Sequence, residues 1–329
     1  MNWRIFLLVI IFTVGCFSSY AQSNLLNAKT PEDIGKKTHA QLISDNDKPL
    51  TYGYVNDRDI LMGKTTWEFI DLDEKINFPF YYPIDTANIG KERRSLFDVL
   101  LKNIKSGKIT EVYADSYFNT KRTLKDMSST FTFTDTLQSG IDEINNFFDD
   151  YKPRVVPEVV KKDRKGNIVS VTPATTIPAI KTLDPQYIEK SDLTAQDVSG
   201  YRIKGYWYFD KRLSELKYRL IGICPVAPEA KDKNSEKPDV IDLFWVYYPS
   251  IRDILHKAKA FNNRNSAMPI DFDTLLNSRK FNGVIYQEDN IQGDRRVKAY
   301  LKDNAQMQLL ESERIKDKIR DFEQDMWNY

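Results

Sequence analysis

The stretch FDTLLNSRKFNGVIYQE at residues 272–288 governs our interpretation of the fold, because it repeats the order of FDVLLKNIKSGKITEVY at residues 97–113. Both stretches open with Phe-Asp-x-Leu-Leu, reach a glycine ten or eleven residues later and continue into β-branched residues. Each also follows an aromatic phrase that ends in Tyr-Tyr-Pro, at residues 78–83 and 244–249. We interpret the repeated stretch as a helix followed by a strand, with its leucine pair buried.

The shared order predicts an α+β fold of two small sheet-plus-helix blocks. In both halves the phrase that ends in Tyr-Tyr-Pro is predicted to be a strand that stops at its proline. The match between the halves is short and spread over unequal gaps. Duplication of one block and independent use of a common α+β pattern therefore both stay open.

The charge of the chain is balanced, since its 329 residues include 48 Lys and Arg against 47 Asp and Glu. No basic surface for nucleic acid is therefore indicated. The length has room for two domains of ordinary size. The histidines are His39 and His256, and the cysteines are Cys16 and Cys224. So few ligands make a multi-ligand zinc site or a Cys-His dyad hard to assemble.

The N-terminus has the features of a signal peptide over residues 1–21. MNWR supplies a positive start, IFLLVIIFTVG an apolar core, and the small-x-small sequence SYA at residues 19–21 a cleavage site. The apolar run is too short to be a membrane span. A lipoprotein signal with Cys16 lipidated is the competing interpretation, disfavoured because Thr13 stands where such signals have leucine. We expect an exported, periplasmic mature chain with Cys224 as its one thiol and no internal disulfide.

Composition divides the mature chain into five predicted segments. Residues 22–60 are polar and poor in periodic apolar residues, which predicts an extended arm. Residues 61–151 and 199–300 are the two predicted α+β blocks. Residues 152–198 are rich in proline and are predicted to be an extended linker, or a strap across a neighbour. Residues 301–329 are predicted to be a C-terminal helix.

The C-terminal helix carries a narrow apolar seam on an otherwise charged surface. Ile315, Ile319, Phe322 and Met326 follow one another at spacings of four, three and four. This spacing places them on one side of a helix. Together with Trp327 they are the residues that we predict to bind a partner.

The chain contains no GxSxG, GxxxxGK[ST], HExxH or CxxC sequence. We therefore expect no catalytic residue, no cofactor site and no metal site. Paired carboxylates can hydrolyse glycosides or hold Ca²⁺, and two pairs occur, Asp71 with Asp73 and Asp271 with Asp273. Each pair alternates with apolar residues, which favours the solvent-facing side of a strand, or for Asp273 a helix cap.

Three other features have a simple structural interpretation. His256 is expected on the surface of the helix that follows the second Tyr-Tyr-Pro phrase. Cys224 stands between apolar residues and is expected to be a small buried side chain. The aromatic runs YWYF at residues 206–209 and FWVYY at residues 244–248 are expected to be core on one face, although a sugar platform or a partner interface stays open.

Several longer phrases resemble the GldN/PorN family of the type IX secretion and gliding-motility machinery of Bacteroidetes. The most specific are GYWYFDKRLSELKYRLIGICPVAP at residues 205–228, LFWVYYP at 243–249 and ESERIKDKIRDFEQDMWNY at 311–329. In the first half, WEFIDLDEKINFPFYYP at residues 67–83 is similar too. The resemblance runs from about residue 67 to the C-terminus.

The resemblance implies a non-enzymatic structural subunit without a cofactor. Family members are expected in the periplasm, where they form a ring with a GldK/PorK-like outer-membrane lipoprotein. The ring is expected to communicate with an inner-membrane motor through a GldM/PorM-like periplasmic shaft protein. The implied partners are thus these two proteins and further copies of the chain, with no nucleic acid. The alternative, based on the aromatic runs and carboxylates, is an envelope protein that binds or hydrolyses carbohydrate.

Overall fold

The structure is a computed structural model, and it describes residues 48–85, 93–147, 151, 154–156, 159–162, 168–172, 175–177, 183–233, 238–262, 270–302 and 304–327. The predicted signal peptide and residues 22–47 of the predicted arm lie outside the described residues. Between residues 154 and 177 the description covers the course of the backbone.

Three long strands, the first, tenth and eleventh, stand among short ones in the described chain. The strands are β1 (Ile60–Asp71), β2 (Val112–Tyr113), β3 (Lys121–Arg122), β4 (Thr132–Thr136), β5 (Arg154–Val156), β6 (Val159–Lys162), β7 (Ile168–Thr172), β8 (Thr175–Ile177), β9 (Ile188–Asp192), β10 (Gly200–Asp210), β11 (Glu215–Pro228), β12 (Val240–Asp242), β13 (Val246–Tyr247), β14 (Lys259–Ala260), β15 (Ile270–Asp271) and β16 (Val284–Glu288).

The helices range from a single turn to more than six turns. They are α1 (Phe78–Tyr81), α2 (Leu96–Lys105), α3 (Leu124–Phe131), α4 (Gln138–Asn146), α5 (Tyr248–Lys257), α6 (Phe272–Asn277), α7 (Val297–Tyr300) and α8 (Ala305–Trp327). The predicted α+β class is confirmed, and so is the C-terminal helix, which is α8.

One antiparallel sheet contains strands from both halves of the chain. Its order is β12-β11-β10-β1-β16, and β13 also pairs with β11. The two predicted blocks therefore do not have separate sheets, because β1 from the first half lies between β10 and β16 from the second. The reason is visible in β1, where Thr66, Trp67 and Glu68 are all buried. Consecutive strand residues point to opposite faces, so this run needs cover on both faces, as an interior strand has.

Both Phe-Asp-x-Leu-Leu phrases begin helices that are capped by a preceding side chain. The Ser95 hydroxyl accepts a hydrogen bond from Asp98 N at 3.3 Å before α2. The Asp271 carboxylate accepts one from Thr274 N at 2.6 Å before α6. Each cap satisfies an N–H group that has no acceptor within its own helix.

The leucines of these phrases pack into one main core, as the sequence predicts. Leu100, Leu275 and Leu276 are buried there, and Leu101 is partly buried against it. Full burial of one leucine contributes about 1.5–3 kcal/mol to folding. The repeated stretch therefore works as a helical building block of a shared core.

The predicted strands at the two Tyr-Tyr-Pro phrases differ in outcome, since the first is mostly helical and the second is a strand at Val246–Tyr247 before a helix begins at Tyr248. The first phrase forms α1, and the second leaves β13 after two residues and continues as α5. Pro79 and Pro249 each lie in the first turn of their helix. Proline suits this position because the first-turn N–H groups have no intrahelical acceptor and its φ is already helical.

The proline-rich segment contains strands that pair with one another. β5 pairs with β8 and β6 pairs with β7, so the chain folds back on itself between residues 154 and 177. β9, which follows, returns to pair with β4. The backbone is thus extended, as the prolines predict, and it forms a hairpin in its described part.

A second, smaller core lies between α8 and the sheet. It consists of Ile285, Val297, Ile315 and Ile319, with Met62, Trp207, Leu216 and Leu301 packed against it. The outer edge of β16 is covered here, since Ile285 N donates a hydrogen bond to Ser312 Oγ at 2.8 Å. A covered edge does not offer its N–H groups to strands of other chains.

Gly205 in β10 is a position where a side chain should not fit. A Cβ atom at Gly205 would lie 2.2 Å from ring atoms of Tyr218. That ring is held by Trp207, at 4.8 Å between centroids, and by the Arg279 guanidinium at 4.3 Å. We expect Gly205→Ala to lower the unfolding free energy by about 1–3 kcal/mol in urea denaturation. Gly53→Ala is the control, with no atom within 4 Å of the new Cβ; an equal loss there would contradict the packing explanation.

Candidate functional site

A buried ion pair joins β1 to the turn that follows α6. Arg279 donates from Nη1 to Glu68 Oε1 at 3.0 Å and from Nη2 to Oε2 at 2.7 Å. The Glu68 side chain is 1% exposed. Two parallel hydrogen bonds between a guanidinium and a carboxylate are among the strongest that proteins form. The pair therefore fixes the C-terminal half of the chain onto β1, an interior strand of the sheet.

Three aromatic rings surround the Arg279 guanidinium. Its central carbon lies 4.8 Å from the ring centroid of Trp207, 4.3 Å from that of Tyr218 and 5.1 Å from that of Phe281. Burial by itself would lower the pKa of Arg279, but the Glu68 carboxylate outweighs this and the pKa is raised. The guanidinium therefore stays charged and locked in place.

The backbone at Arg279 is unusual for a residue with a side chain. Arg279 has φ 51°, in the left-handed region. Its N–H bonds to the carbonyl of Leu276 and the N–H of Lys280 to that of Leu275, which closes the end of α6 in a Schellman motif. Glycine is the usual residue at this position, and another residue costs about 1–3 kcal/mol there. The chain has an arginine here in spite of this cost, and from this position the guanidinium reaches Glu68.

A cavity of about 300 Å³ lies above the ion pair, between the sheet and α8. Its floor is Glu68 with Arg279, and its remaining walls are Trp207, Leu216, Ile285, Lys316, Ile319, Arg320 and Glu323. Two of the charges at its rim are paired along the helix, Lys316 with Glu313 and Arg320 with Asp317. The carboxylate of the floor is held by a guanidinium, and Glu323 contributes a second carboxylate to the wall.

A second buried network is centred on Asp273 in α6. Arg252 from α5 donates to both oxygens of Asp273 at 2.9 Å. Tyr248 OH donates to Asp273 Oδ1 at 2.6 Å, and Asn277 Nδ2 donates to the same oxygen at 2.9 Å. Burial, and then the hydrogen bond to Asp273, raise the pKa of Tyr248 far above its ordinary range. This network joins α5 to α6 and gives the Asp273 carboxylate four hydrogen bonds from side chains.

Tyr52, in the segment that precedes β1, lies on this network. Two guanidiniums lie against its ring, with Arg219 at 4.7 Å and Arg252 at 4.2 Å from the centroid. Its hydroxyl donates a hydrogen bond to Asn277 Oδ1 at 2.7 Å. Burial raises the pKa of Tyr52 to about 12, although the Arg252 guanidinium opposes the rise.

The raised pKa of Tyr52 predicts a loss of stability in alkali. The folded pKa of about 12 exceeds the ordinary value of 10.0, so the fold favours the protonated phenol. Its contribution is therefore complete below pH 10 and is lost as the pH rises through about 12. The difference in unfolding free energy between wild type and Tyr52→Phe should shrink across this interval. Tyr54→Phe, at a residue 81% exposed, is the matched control; a constant difference for Tyr52→Phe would contradict the assignment.

His256, Asp271 and Asp273 come together, with one ligand atom of each within 4.8 Å of the others. These are residue types that bind metals, but their oxygens are committed elsewhere. Asp273 is held by Arg252, and Asp271 accepts from Thr274 N at 2.6 Å and from Thr274 Oγ1 at 3.0 Å. The positive charge next to these carboxylates is the Arg252 guanidinium. In this structure Asp271 thus serves as a helix cap and Asp273 as one half of an ion pair.

Two expectations for this cluster were wrong. His256 is 9% exposed and is not on the helix surface, because the end of α5 packs against β15 and places Nδ1 3.5 Å from Asp271 Oδ1. Asp271 and Asp273 are buried and do not face solvent. The helix cap is Asp271, where the sequence suggested Asp273. Asp71, in contrast, is only partly buried and accepts a hydrogen bond from Asp73 N, as a solvent-facing pair should.

The other residues considered for chemistry have structural positions. Cys224 is completely buried, as predicted, and burial raises the pKa of its thiol well above the ordinary value. A neutral buried thiol is a poor nucleophile. The aromatic runs are mostly core, since Tyr208, Phe209, Phe244 and Trp245 are all buried.

The comparison with known families decides the identity. A family model described as "Gliding motility associated protein GldN" matches residues 55–328. The chain belongs to the GldN family. The match contains all the phrases that carry the resemblance, except the final residue of the last one. No curated protein matches the chain.

In this GldN-family chain the buried ion pairs join residues that no local sequence pattern singles out. Glu68 and Arg279 are 211 positions apart, and Arg252 and Asp273 are 21 apart. Of these four residues, only Arg279 has an unusual local position, because it stands after the end of a helix where glycine is usual. None of the helices in the described part of the chain is both long and apolar enough to cross a membrane.

The predicted partner-binding seam of α8 is largely occupied by the chain itself. Ile315 is 1% exposed and Ile319 is 6% exposed, and both belong to the second core. Phe322 contacts a phenylalanine of β10, and Met326 is partly buried. The side chain of Trp327 lies outside the described residues. Ile315 and Ile319 thus pack against the sheet of their own chain, and partner binding by this seam stays a prediction.

Proposed function

We propose that this chain is a non-enzymatic structural subunit of a periplasmic ring, attached to the outer membrane, in the machinery of type IX secretion and gliding motility. The observation that carries the proposal is the GldN family match over residues 55–328. Membership of a family associated with gliding motility is established by that match. The ring, its position in the envelope and the absence of catalysis are the proposed part.

The buried charges support a structural role. Glu68 is paired with Arg279, and Asp273 with Arg252, each through two hydrogen bonds. Asp271 caps a helix. Carboxylates committed in this way hold strands and helices in one arrangement and are unsuited to acid or base catalysis. A subunit of a large assembly needs such a fixed shape.

The proposed partners follow from the family resemblance. A GldK/PorK-like lipoprotein would tether the ring to the outer membrane, and a GldM/PorM-like shaft protein would connect it to the inner membrane. Other copies of this chain would form the rest of the ring. A predicted signal peptide at residues 1–21 supports export to the periplasm.

The mass of the native complex tests the proposal. The envelope is extracted with mild detergent, and the particle that contains this chain is weighed and its components identified. A megadalton particle that contains a lipoprotein is expected. A free monomer, under conditions that keep other envelope complexes intact, would overturn the proposal.

Alanine substitutions separate this proposal from the carbohydrate alternative. In a glycoside-processing protein, Asp71→Ala and Asp271→Ala should abolish activity on envelope glycans and leave the complex intact. In a scaffold they should change only stability or assembly. We expect Asp271→Ala to lose about 0.5–2 kcal/mol of unfolding free energy, because it removes a helix cap. Asp71→Ala, at the solvent-facing pair, should have a smaller effect.

A further inference from the structure

The segment of residues 48–56, here called the strap, is held to the body by side chains. Arg219 Nη2 donates to Gly53 O at 2.9 Å, and Arg212 Nη2 donates to Tyr54 O at 2.8 Å. The third hydrogen bond is from Tyr52 OH to Asn277. Within the described residues, no backbone ladder joins the strap to a strand. Its attachment is therefore a set of contacts that an identical segment from another copy could also make.

The contact at Tyr52 has the geometry of a peptide-binding pocket. Two guanidiniums lie against the ring, and an amide oxygen accepts the hydrogen bond of the hydroxyl. The pocket, here called the tyrosine pocket, consists of Arg219, Arg252 and Asn277. All three belong to the second half of the chain, so the pocket does not depend on the strap that fills it. The Arg252 side chain is fixed independently by Asp273.

The strand β11, which supplies one of the arginines that hold the strap, has an incomplete outer edge. β11 pairs with β12 and β13 through residues 222–228 on the side away from β10. From residue 215 to 221 that side has no paired strand among the described residues. Arg212 precedes this edge and Arg219 belongs to it, so the side chains that hold Tyr54 O and Gly53 O come from this part of the chain. An edge of this kind is a natural place for an extended segment to bind.

Two large apolar side chains of the strap are exposed to solvent. Leu50 is 86% exposed and Tyr54 is 81% exposed, on either side of the anchored Tyr52. A single exposed apolar residue needs no explanation, but two of them on a short segment that is held in place indicate a surface that another molecule covers. A second copy of the chain provides such cover when its body lies beside the strap.

We infer that in the assembled protein the strap of each copy binds the tyrosine pocket and β11 edge of the next copy. This inference rests on the proposed ring. A segment given to one neighbour and received from the other makes a head-to-tail contact, which forms a ring when the rotation between copies closes. Exchange of an identical segment preserves every contact of Tyr52, Gly53 and Tyr54, and requires a change only where the strap joins β1. That junction includes a single 3₁₀ turn at Asp57–Asp59.

Site-specific photo-crosslinking tests the inference on the full chain in its native envelope. Copies with one tag carry benzoylphenylalanine at Tyr54, and coexpressed copies with a second tag carry no probe. After irradiation, products that contain both tags are isolated and the linked peptide is identified. We expect both-tag products with the probe linked to the peptide that contains Arg212. The same probe at Tyr247 is the control, since that residue is on β13 and should link within its own copy.

The mass of the same preparation separates the two proposals. Links confined to one tag in a megadalton particle would overturn strap exchange and leave the ring proposal intact. A monomeric preparation would overturn both. A second variant, Tyr52→Ala, should reduce the assembled fraction about tenfold or more, because it removes the anchor of the contact. Unchanged assembly of a folded Tyr52→Ala protein would also contradict the inference.

Discussion

Arg279→Ala is expected to lower the free energy of unfolding by about 3–5 kcal/mol, the largest single effect that we predict for a charged residue. The substitution leaves Glu68, which is 1% exposed, without its guanidinium. It also removes the contacts with three aromatic rings. Alanine keeps a Cβ at a left-handed position, so the backbone cost is similar in both proteins. The loss therefore reports the guanidinium, and denaturant unfolding followed by circular dichroism measures it.

Two further variants make the Arg279 result specific. Arg320→Ala removes a guanidinium whose side chain is 61% exposed and paired with Asp317 on the helix surface. Such pairs contribute about 0–1 kcal/mol, so this control should be nearly neutral. The double variant Glu68→Leu with Arg279→Met should recover much of the loss, because no buried charge is left unpaired. Equal effects of Arg279→Ala and Arg320→Ala would show that the buried pair is not important for stability.

Ile315→Ala is expected to lower the unfolding free energy by about 2–5 kcal/mol. Ile315 is 1% exposed and lies in the small core between α8 and the sheet. Removing three carbon atoms from this position loses their burial and leaves a space that the neighbours only partly fill. The effect is measured by urea denaturation of the purified protein, in which no partner is present.

Leu310→Ala is the matched control for Ile315→Ala. Leu310 lies on the same helix and loses the same number of atoms, but it is 62% exposed. Its substitution should change the unfolding free energy by less than about 0.5 kcal/mol. Normal stability of the Ile315→Ala protein together with a loss of assembly would instead show that the seam is a partner surface, as its spacing first suggested.

Local patterns predicted the helices well where packing agreed with them. The Phe-Asp-x-Leu-Leu stretches have apolar residues at helical spacing after a capping side chain, and both form helices whose leucines are buried. They were less reliable at the Tyr-Tyr-Pro phrases. Aromatic residues favour strands, but a proline in the first turn of a helix is equally well placed. Whether each phrase forms a strand or a helix depends on the elements that pack against it, and the residues of the phrase do not show which elements these are.

Interactions over short distances in the sequence were sufficient for the α+β class, the amphipathic C-terminal helix and the family. These depend on spacing within a few turns, or on the residues of single phrases. The tertiary structure alone placed β1 between β10 and β16, put the seam of α8 against its own sheet and buried His256 beside Asp271. It also brought Glu68 to Arg279 from 211 positions away. The physical reason is that a buried charge or an apolar seam is satisfied by whatever group the topology places next to it, and no spacing in the sequence records that partner.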